Sequence, residues 1–150
     1  MPMKKSGLPF VTLLLIFGSV ACIPVPHQYQ QDPNIEGNVT LGGTNDSPSS
    51  VAFFRCAPSL HECVPEHKLD AAPVENSGTF SLAGTRKFVA YAVPMAHCNW
   101  QWMVEFYDIN SKALDSHTFG RYGPCVAPDL VKLECAVEEE GSVHCESSGI

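Results

Sequence analysis

Apolar and polar residues alternate along most of this 150-residue chain, in short segments separated by turn residues. Successive side chains of a β-strand point to opposite faces, so this alternation is typical of strands with one buried face. The pattern predicts strands at 34–41, 51–56, 79–82, 88–93, 100–107, 113–119, 130–136 and 142–145. The 12 prolines and 11 glycines punctuate the chain, and no segment shows a capped helical repeat. We therefore predict an all-β protein, in which residues 34–150 form a single antiparallel β-sandwich.

The segment 59–74 does not follow this pattern. Its residues are mostly polar and show no clear periodicity, so we predict an irregular loop there. Binding residues are often carried by loops on a rigid scaffold. We therefore expect the contact surface at one end of the sandwich, formed by the loops 59–74 and 120–128.

Aromatic residues are densest in the predicted strand 100–107. On a strand, Trp100, Trp102, Val104 and Phe106 share one face. Aromatic side chains dominate the cores of sandwiches, so we predict that this face is buried. If it were exposed, it would instead anchor a protein or glycan partner.

Residues 1–21 have the pattern of an export signal. Lys4 and Lys5 precede an apolar run at 8–20, which is shorter than the about 20 apolar residues of a membrane-spanning helix. The run ends in the small residues Gly18-Ser19-Val20-Ala21. We predict removal of residues 1–21, followed by a flexible tether rich in proline and glutamine at 22–33.

The cysteine that follows this signal, Cys22, resembles the lipidation site of bacterial lipoprotein signal peptides. That resemblance implies that Cys22 is acylated with fatty acids such as palmitate, and that Ile23 after it directs the protein to the outer membrane. Ser19 departs from the family, which usually has a large aliphatic residue at that position. Because Ser19-Val20-Ala21 also suits ordinary signal peptidase, a soluble exported protein is the alternative.

The chain has seven cysteines: Cys22, Cys56, Cys63, Cys98, Cys125, Cys135 and Cys145. Without Cys22 six remain, which is an even number able to form three disulfides in an oxidising compartment. Several pairings are open from sequence alone. We favour Cys135–Cys145, because the acidic turn ending at Gly141 would place these sulfurs opposite each other in a hairpin. Cys56 and Cys63 enclose a short loop, which leaves Cys98 and Cys125 as partners.

A second resemblance begins at Ile35. The order is Gly-x-Val at 37–39, the Gly42-Gly43 turn, an apolar strand at 50–54 and Gly78-Thr79-Phe80-Ser81-Leu82, before Tyr91 in the strand 88–93. It is similar to the carboxypeptidase-regulatory-like, transthyretin-like (prealbumin-type) sandwich. The resemblance covers about half of the mature chain and implies that fold. It implies no catalytic residues, since these modules usually have structural or interaction roles.

The acidic composition excludes one class of partner. Without residues 1–21 the chain has seven Lys and Arg against 16 Asp and Glu, a formal net charge of −9. Nucleic acid is therefore not an expected partner. The acidity itself indicates solubility more than a basic protein partner.

The segment 61–67 contains the two residues we consider for metal binding, His61 and His67. They lie six positions apart, and Pro65 would break a helix carrying them, so the helical zinc-protease signature is not met. No Gly-x-Ser-x-Gly motif is present, and the histidines are scattered singly. We predict no catalytic residue, no cofactor and no metal site.

These observations together predict a lipid-anchored protein of the bacterial cell envelope, at the outer membrane and facing the periplasm. Its expected role is non-catalytic binding or a structural interaction. The expected partners are the membrane, through the anchor at Cys22, and an envelope protein. A small envelope hydrolase or metal-binding protein and a soluble secreted effector are the alternatives.

Overall fold

The computed structural model describes residues 27–40, 47–57, 62–84, 87–90, 97–124, 126–138 and 141–150. Within these ranges the strands are β1 His27–Gln30, β2 Asn34–Thr40, β3 Ser50–Cys56, β4 Pro65–Pro73, β5 Thr79–Leu82, β6 Lys87–Ala90, β7 His97–Tyr107, β8 Ala113–Pro124, β9 Leu130–Val137 and β10 Val143–Ser148. No helix in the described ranges is long and apolar enough to span a membrane. Several predictions concern residues outside these ranges: the export signal, Cys22, 41–43, His61, 91–93 and Cys125.

Eight of the strands form two four-stranded sheets. Sheet 1 has the order β10-β9-β2-β5, sheet 2 has the order β4-β3-β7-β8, and β1 pairs with β6 separately. The prediction of a purely antiparallel sandwich is wrong in one place, because β2 and β9 run parallel. Nearly the whole domain lies between these two strands in sequence, which is ample chain for the crossover that a parallel pair requires.

The hydrophobic core lies between the two sheets. Sheet 1 contributes Ile35 and Leu133, and sheet 2 contributes Trp102 and Phe106, all fully buried. The ring of Phe80 from β5 meets the ring of Phe106 edge to face, with centroids 5.9 Å apart. The predicted aromatic core is thus confirmed, and its packing joins the two layers as in a β-sandwich.

Two aspartates connect the sheets along their sides. Asp70 on β4 accepts a hydrogen bond of 2.7 Å from the backbone N–H of Ala83, directly after β5. On the opposite side, Asp115 on β8 accepts one of 2.8 Å from the N–H of Val143 on β10. The outermost strands of the two sheets are therefore joined by a carboxylate on each side.

The predicted loop 59–74 is wrong over most of its length, because Pro65–Pro73 forms the strand β4. This strand lies at the edge of sheet 2, and most of its side chains are exposed. Its register with β3 shifts between Phe53 and Phe54 and again between Arg55 and Cys56. An exposed strand with irregular register has no regular buried positions, so the alternation that reveals other strands is missing. The predicted loop 120–128 likewise begins as strand, since β8 continues to Pro124.

The folded domain begins earlier than residue 34. Within the predicted tether 22–33, His27–Gln30 forms β1 and pairs with β6. Asp32 is fully buried, which a flexible tether would not allow. The cause is an ion pair with Arg55, a long-range contact that local composition does not reveal.

Candidate functional site

The outer face of sheet 1 carries a cleft of about 610 Å³. Its floor is formed by side chains of β2, β5 and β9, and its wall by Ala72, Pro73 and Glu75 at the end of β4. The residues on either side of the floor positions, such as Ile35 and Leu133, are buried in the core. The alternation of strand side chains therefore directs the floor residues to solvent.

The floor side chains that point away from the core are polar. The register places Glu36 beside Lys132 and Ser81, Asn38 beside Glu134 and Thr79, and Glu146 of β10 beside Glu134. Short hydroxyl and amide side chains thus fill the spaces between charged ones. The floor of the cleft therefore offers both charged and hydrogen-bonding groups to solvent.

Negative charge predominates on this surface, which we name the acidic face: Glu36, Glu75, Glu134 and Glu146. Glu134 and Glu146 are direct cross-strand neighbours. Like charges in this position are destabilising. Lys132 lies on the same surface, but none of the four carboxylates forms an ion pair with a residue that the structure describes. With Lys132 counted against the four carboxylates, the acidic face carries a formal net charge of −3.

The floor depends on a glycine. Gly37 on β2 pairs with Phe80 on β5, and a Cβ atom at Gly37 would lie 2.0 Å from the Cζ atom of the Phe80 ring. The ring thus occupies the space of the missing side chain. This close approach buries Phe80 and holds β5 against β2, which keeps the acidic face continuous across the two strands.

A buried ion pair fixes the start of the domain. Asp32 Oδ1 accepts hydrogen bonds from Arg55 Nε at 2.8 Å and from Trp102 Nε1 at 3.1 Å. Asp32 Oδ2 accepts a further bond from Arg55 Nη2. Asp32 is 0 % exposed and Arg55 9 %. The segment that leads from Cys22 into the domain is therefore attached to sheet 2 at the end where β3 finishes.

Two of the favoured disulfides are present. Cys135 and Cys145 are opposite each other in the β9–β10 hairpin, with Cα atoms 4.0 Å apart, and Gly141 in the turn has a φ of 82°. Cys56 and Cys63 are bonded with Cα atoms 5.0 Å apart. Cys98 is also disulfide-bonded, and its expected partner lies outside the described residues. The disulfide-stabilised domain is thus confirmed for these two pairs.

The structure does not gather the histidines into a site. His67 is exposed on β4, and its Nε2 lies 4.0 Å from a carboxylate oxygen of Glu66, while His61 is outside the described residues. Among the residues described, no group of three or more His, Cys, Asp and Glu is placed to hold a metal ion.

Two titratable groups lie in the sandwich away from the acidic face. Burial lowers the pKa of His117, with a further contribution from His144. Burial and a hydrogen bond to the Glu105 carboxylate raise the pKa of Tyr107 to about 12. Both shifts have structural causes, and neither creates a reactive group at neutral pH.

The sequence pattern predicts the contact surface in the loops 59–74 and 120–128 and does not reveal the acidic face. The outward positions of Glu36 and Glu134 follow from the alternation of their strands, but their proximity depends on the parallel pairing of β2 with β9. Compared with protein-family models, with curated proteins and with solved structures, the chain shows no match. The site is therefore defined by its geometry alone.

Proposed function

We propose that this protein is a bacterial cell-envelope lipoprotein, acylated at Cys22, that binds a basic segment of an envelope protein on its acidic face. The binding role is non-catalytic. The observation that supports it most directly is the unpaired, direct opposition of Glu134 and Glu146 on an exposed sheet. A cationic partner would remove the repulsion that this pair introduces.

The position of the anchor supports this role. Asp32 follows Cys22 by ten positions, and a fully extended chain of that length spans at most about 35 Å. Because Asp32 is held inside the domain by Arg55, the domain would stay within that distance of the outer membrane. A lipid with several acyl chains is sufficient for stable attachment. The acidic face would then meet partners in the periplasmic space next to the membrane.

We further propose that the sandwich is of the transthyretin-like type. Three residues of the motif support this proposal: Phe80 and Leu82 are buried, and Gly78 adopts a φ of 86° in the turn before them. Gly37 supplies the space for Phe80. Modules of this type usually serve in interaction rather than catalysis, which agrees with the proposed role.

The chemistry of the acidic face predicts moderate, salt-sensitive binding. Exposed ion pairs contribute about 0.2–1 kcal/mol each, so affinity must come from several carboxylates acting together. Interactions between exposed charges are screened at a Debye length of about 8 Å in physiological salt. A lysine-rich peptide should therefore bind the mature protein, and its affinity should fall as salt is raised.

The test uses fluorescence anisotropy with labelled hexalysine and hexaglutamate peptides. Binding of hexalysine should weaken strongly in Glu134→Gln/Glu146→Gln. The matched control, Glu62→Gln/Glu66→Gln, removes the same charge from exposed positions before and at the start of β4, which belongs to sheet 2. Equal binding of hexalysine to the two double variants would contradict the proposal, and so would equal binding of both peptides to the wild-type protein.

The anchor is tested separately, by intact mass spectrometry of protein extracted from membranes. The expected mass corresponds to a chain that begins at Cys22 and carries acyl groups. Cys22→Ser should release the protein from the membrane fraction. Recovery of unmodified wild-type protein in the soluble fraction would contradict the lipid anchor and support the soluble exported alternative. Peptide binding to the acidic face is tested independently of this result.

A further inference from the structure

A second cleft lies on the outer face of sheet 2, which is not the sheet that carries the acidic face. Its volume is about 340 Å³, and it is lined by residues of β7 and β8. The register pairs Asn99 with Tyr122, Gln101 with Gly120, and Met103 with Thr118. These positions alternate with Trp102 and Phe119, which point into the core. The cleft therefore opens away from the core.

Gly120 creates this cleft. It leaves a gap in the row of side chains between Thr118 and Tyr122 on β8. A Cβ atom at Gly120 would lie 2.1 Å from the carbonyl oxygen of Trp100, so the backbone of β7 approaches too closely for any other residue. The gap is thus built into the pairing of the two strands.

The lining is neutral and rich in hydrogen-bonding groups. Asn99 and Gln101 provide amides, Thr118 a hydroxyl and Tyr122 a phenol, and none of the described residues lining the cleft is charged at neutral pH. Tyr122 is 76 % exposed, although it is large and aromatic. Its ring offers a flat apolar surface beside the amides.

Gln101 provides a second observation. Its Oε1 atom is buried and has no hydrogen-bond partner among the residues that the structure describes. A buried acceptor without a partner is uncommon in folded proteins and requires a physical explanation. Here it belongs to a residue that lines the cleft, so a ligand with several donors could supply the missing bond after a rotation of the amide.

We propose that this cleft binds a neutral saccharide unit. A sugar ring has one apolar face of C–H groups, which matches the ring of Tyr122. Its hydroxyls both donate and accept, which matches the amides of Asn99 and Gln101 and the hydroxyl of Thr118. The volume is at the lower end of the range for small-molecule sites, so the cleft takes a short unit rather than a long chain. A charged ligand would find no counter-charge in the described lining.

The test titrates the mature protein with triacetylchitotriose and, in parallel, with maltotriose. The heat of binding, measured by isothermal titration calorimetry, should change saturably with at least one of them. Tyr122→Ala should weaken this binding by about tenfold or more, because a central aromatic contact is removed. Tyr122→Phe retains the ring and should bind nearly as the wild type does.

Ile109→Ala is the matched control, since Ile109 is 85 % exposed and lies in the turn between β7 and β8, outside the cleft lining. It should bind both sugars as the wild type does. If neither trisaccharide produced a saturable change, the proposal would be overturned. Unchanged binding in Tyr122→Ala would overturn it as well. Neither result depends on the acidic face, which lies on the other sheet.

Discussion

Asp32 and Arg55 form an ion pair inside the domain, joined by two hydrogen bonds and supported by a third from Trp102 to the same carboxylate. The pair connects the segment after Cys22 to the central strands of sheet 2. Two buried charges are tolerated only when each satisfies the other, because an isolated charge in the interior is strongly unfavourable. The start of the domain is therefore fixed, although composition predicts a flexible tether there.

Arg55→Met should lower the free energy of unfolding by about 3–5 kcal/mol, because Asp32 would remain buried without its positively charged partner. Urea denaturation measures this change. Lys112→Met, which removes an exposed positive charge, is the control and should change stability by at most about 0.5 kcal/mol. The double variant Asp32→Leu/Arg55→Leu should recover part of the loss. A loss below about 1 kcal/mol in Arg55→Met would show that the pair is not the constraint we describe.

The disulfide Cys135–Cys145 should matter more for stability than Cys56–Cys63. Cys135 and Cys145 both belong to the hydrophobic core and are 4 % and 3 % exposed, whereas Cys63 is only half-buried. Cys135→Ala/Cys145→Ala removes the cross-link, which should lower the free energy of unfolding by about 2–4 kcal/mol. It also leaves a cavity in the core, which should lower it further. Thermal unfolding of both double variants, with the remaining disulfides verified by mass spectrometry, compares the two. An equal or larger loss in Cys56→Ala/Cys63→Ala contradicts this ranking.

Gly37→Ala should destabilise the domain by about 1–3 kcal/mol, because the added methyl group overlaps the Phe80 ring and forces it to move. The same change should disturb the acidic face, whose floor includes β2 and β5. Chemical denaturation measures the loss of stability, and hexalysine binding measures the disturbance of the acidic face. Phe80→Leu makes room for the methyl group. Gly37→Ala should therefore destabilise the Phe80→Leu variant less than it destabilises the wild-type protein. Wild-type stability in Gly37→Ala would mean that the ring does not fill this space.

The parts of the fold that depend on local pattern could be predicted from the sequence. The strand 79–82 agrees with β5 in both bounds, and the β9–β10 hairpin follows from its acidic turn and Gly141. The remaining elements depend on distant partners. β4 is recognisable as a strand only through its pairing with β3, and the burial of Asp32 only through Arg55. The acidic face likewise requires β2 to lie beside β9, a parallel pairing that no local periodicity encodes.

We predict that His117 makes the contact between β8 and β10 sensitive to pH. It lies on β8, two residues from Asp115, whose carboxylate bonds to the backbone N–H of Val143 on β10. His117 is half-buried, and its Nε2 has no hydrogen-bond partner among the described residues. Burial is the largest cause of its lowered pKa, repulsion by His144 adds to it, and attraction by Asp115 opposes it.

The unfolded chain should bind a proton at the ordinary His117 pKa of 6.5, whereas the folded protein binds it only at lower pH. Well above pH 6.5 the imidazole is neutral in both states, and its protonation then has no effect on stability. As the pH falls further, the unfolded state gains the proton first, so the free energy of unfolding should decrease until the folded pKa is passed. Urea denaturation at several pH values between about 7.5 and about 5 measures this slope. His117→Phe should flatten the slope while keeping a ring beside Phe119. An unchanged slope in His117→Phe would assign the acid sensitivity to other groups.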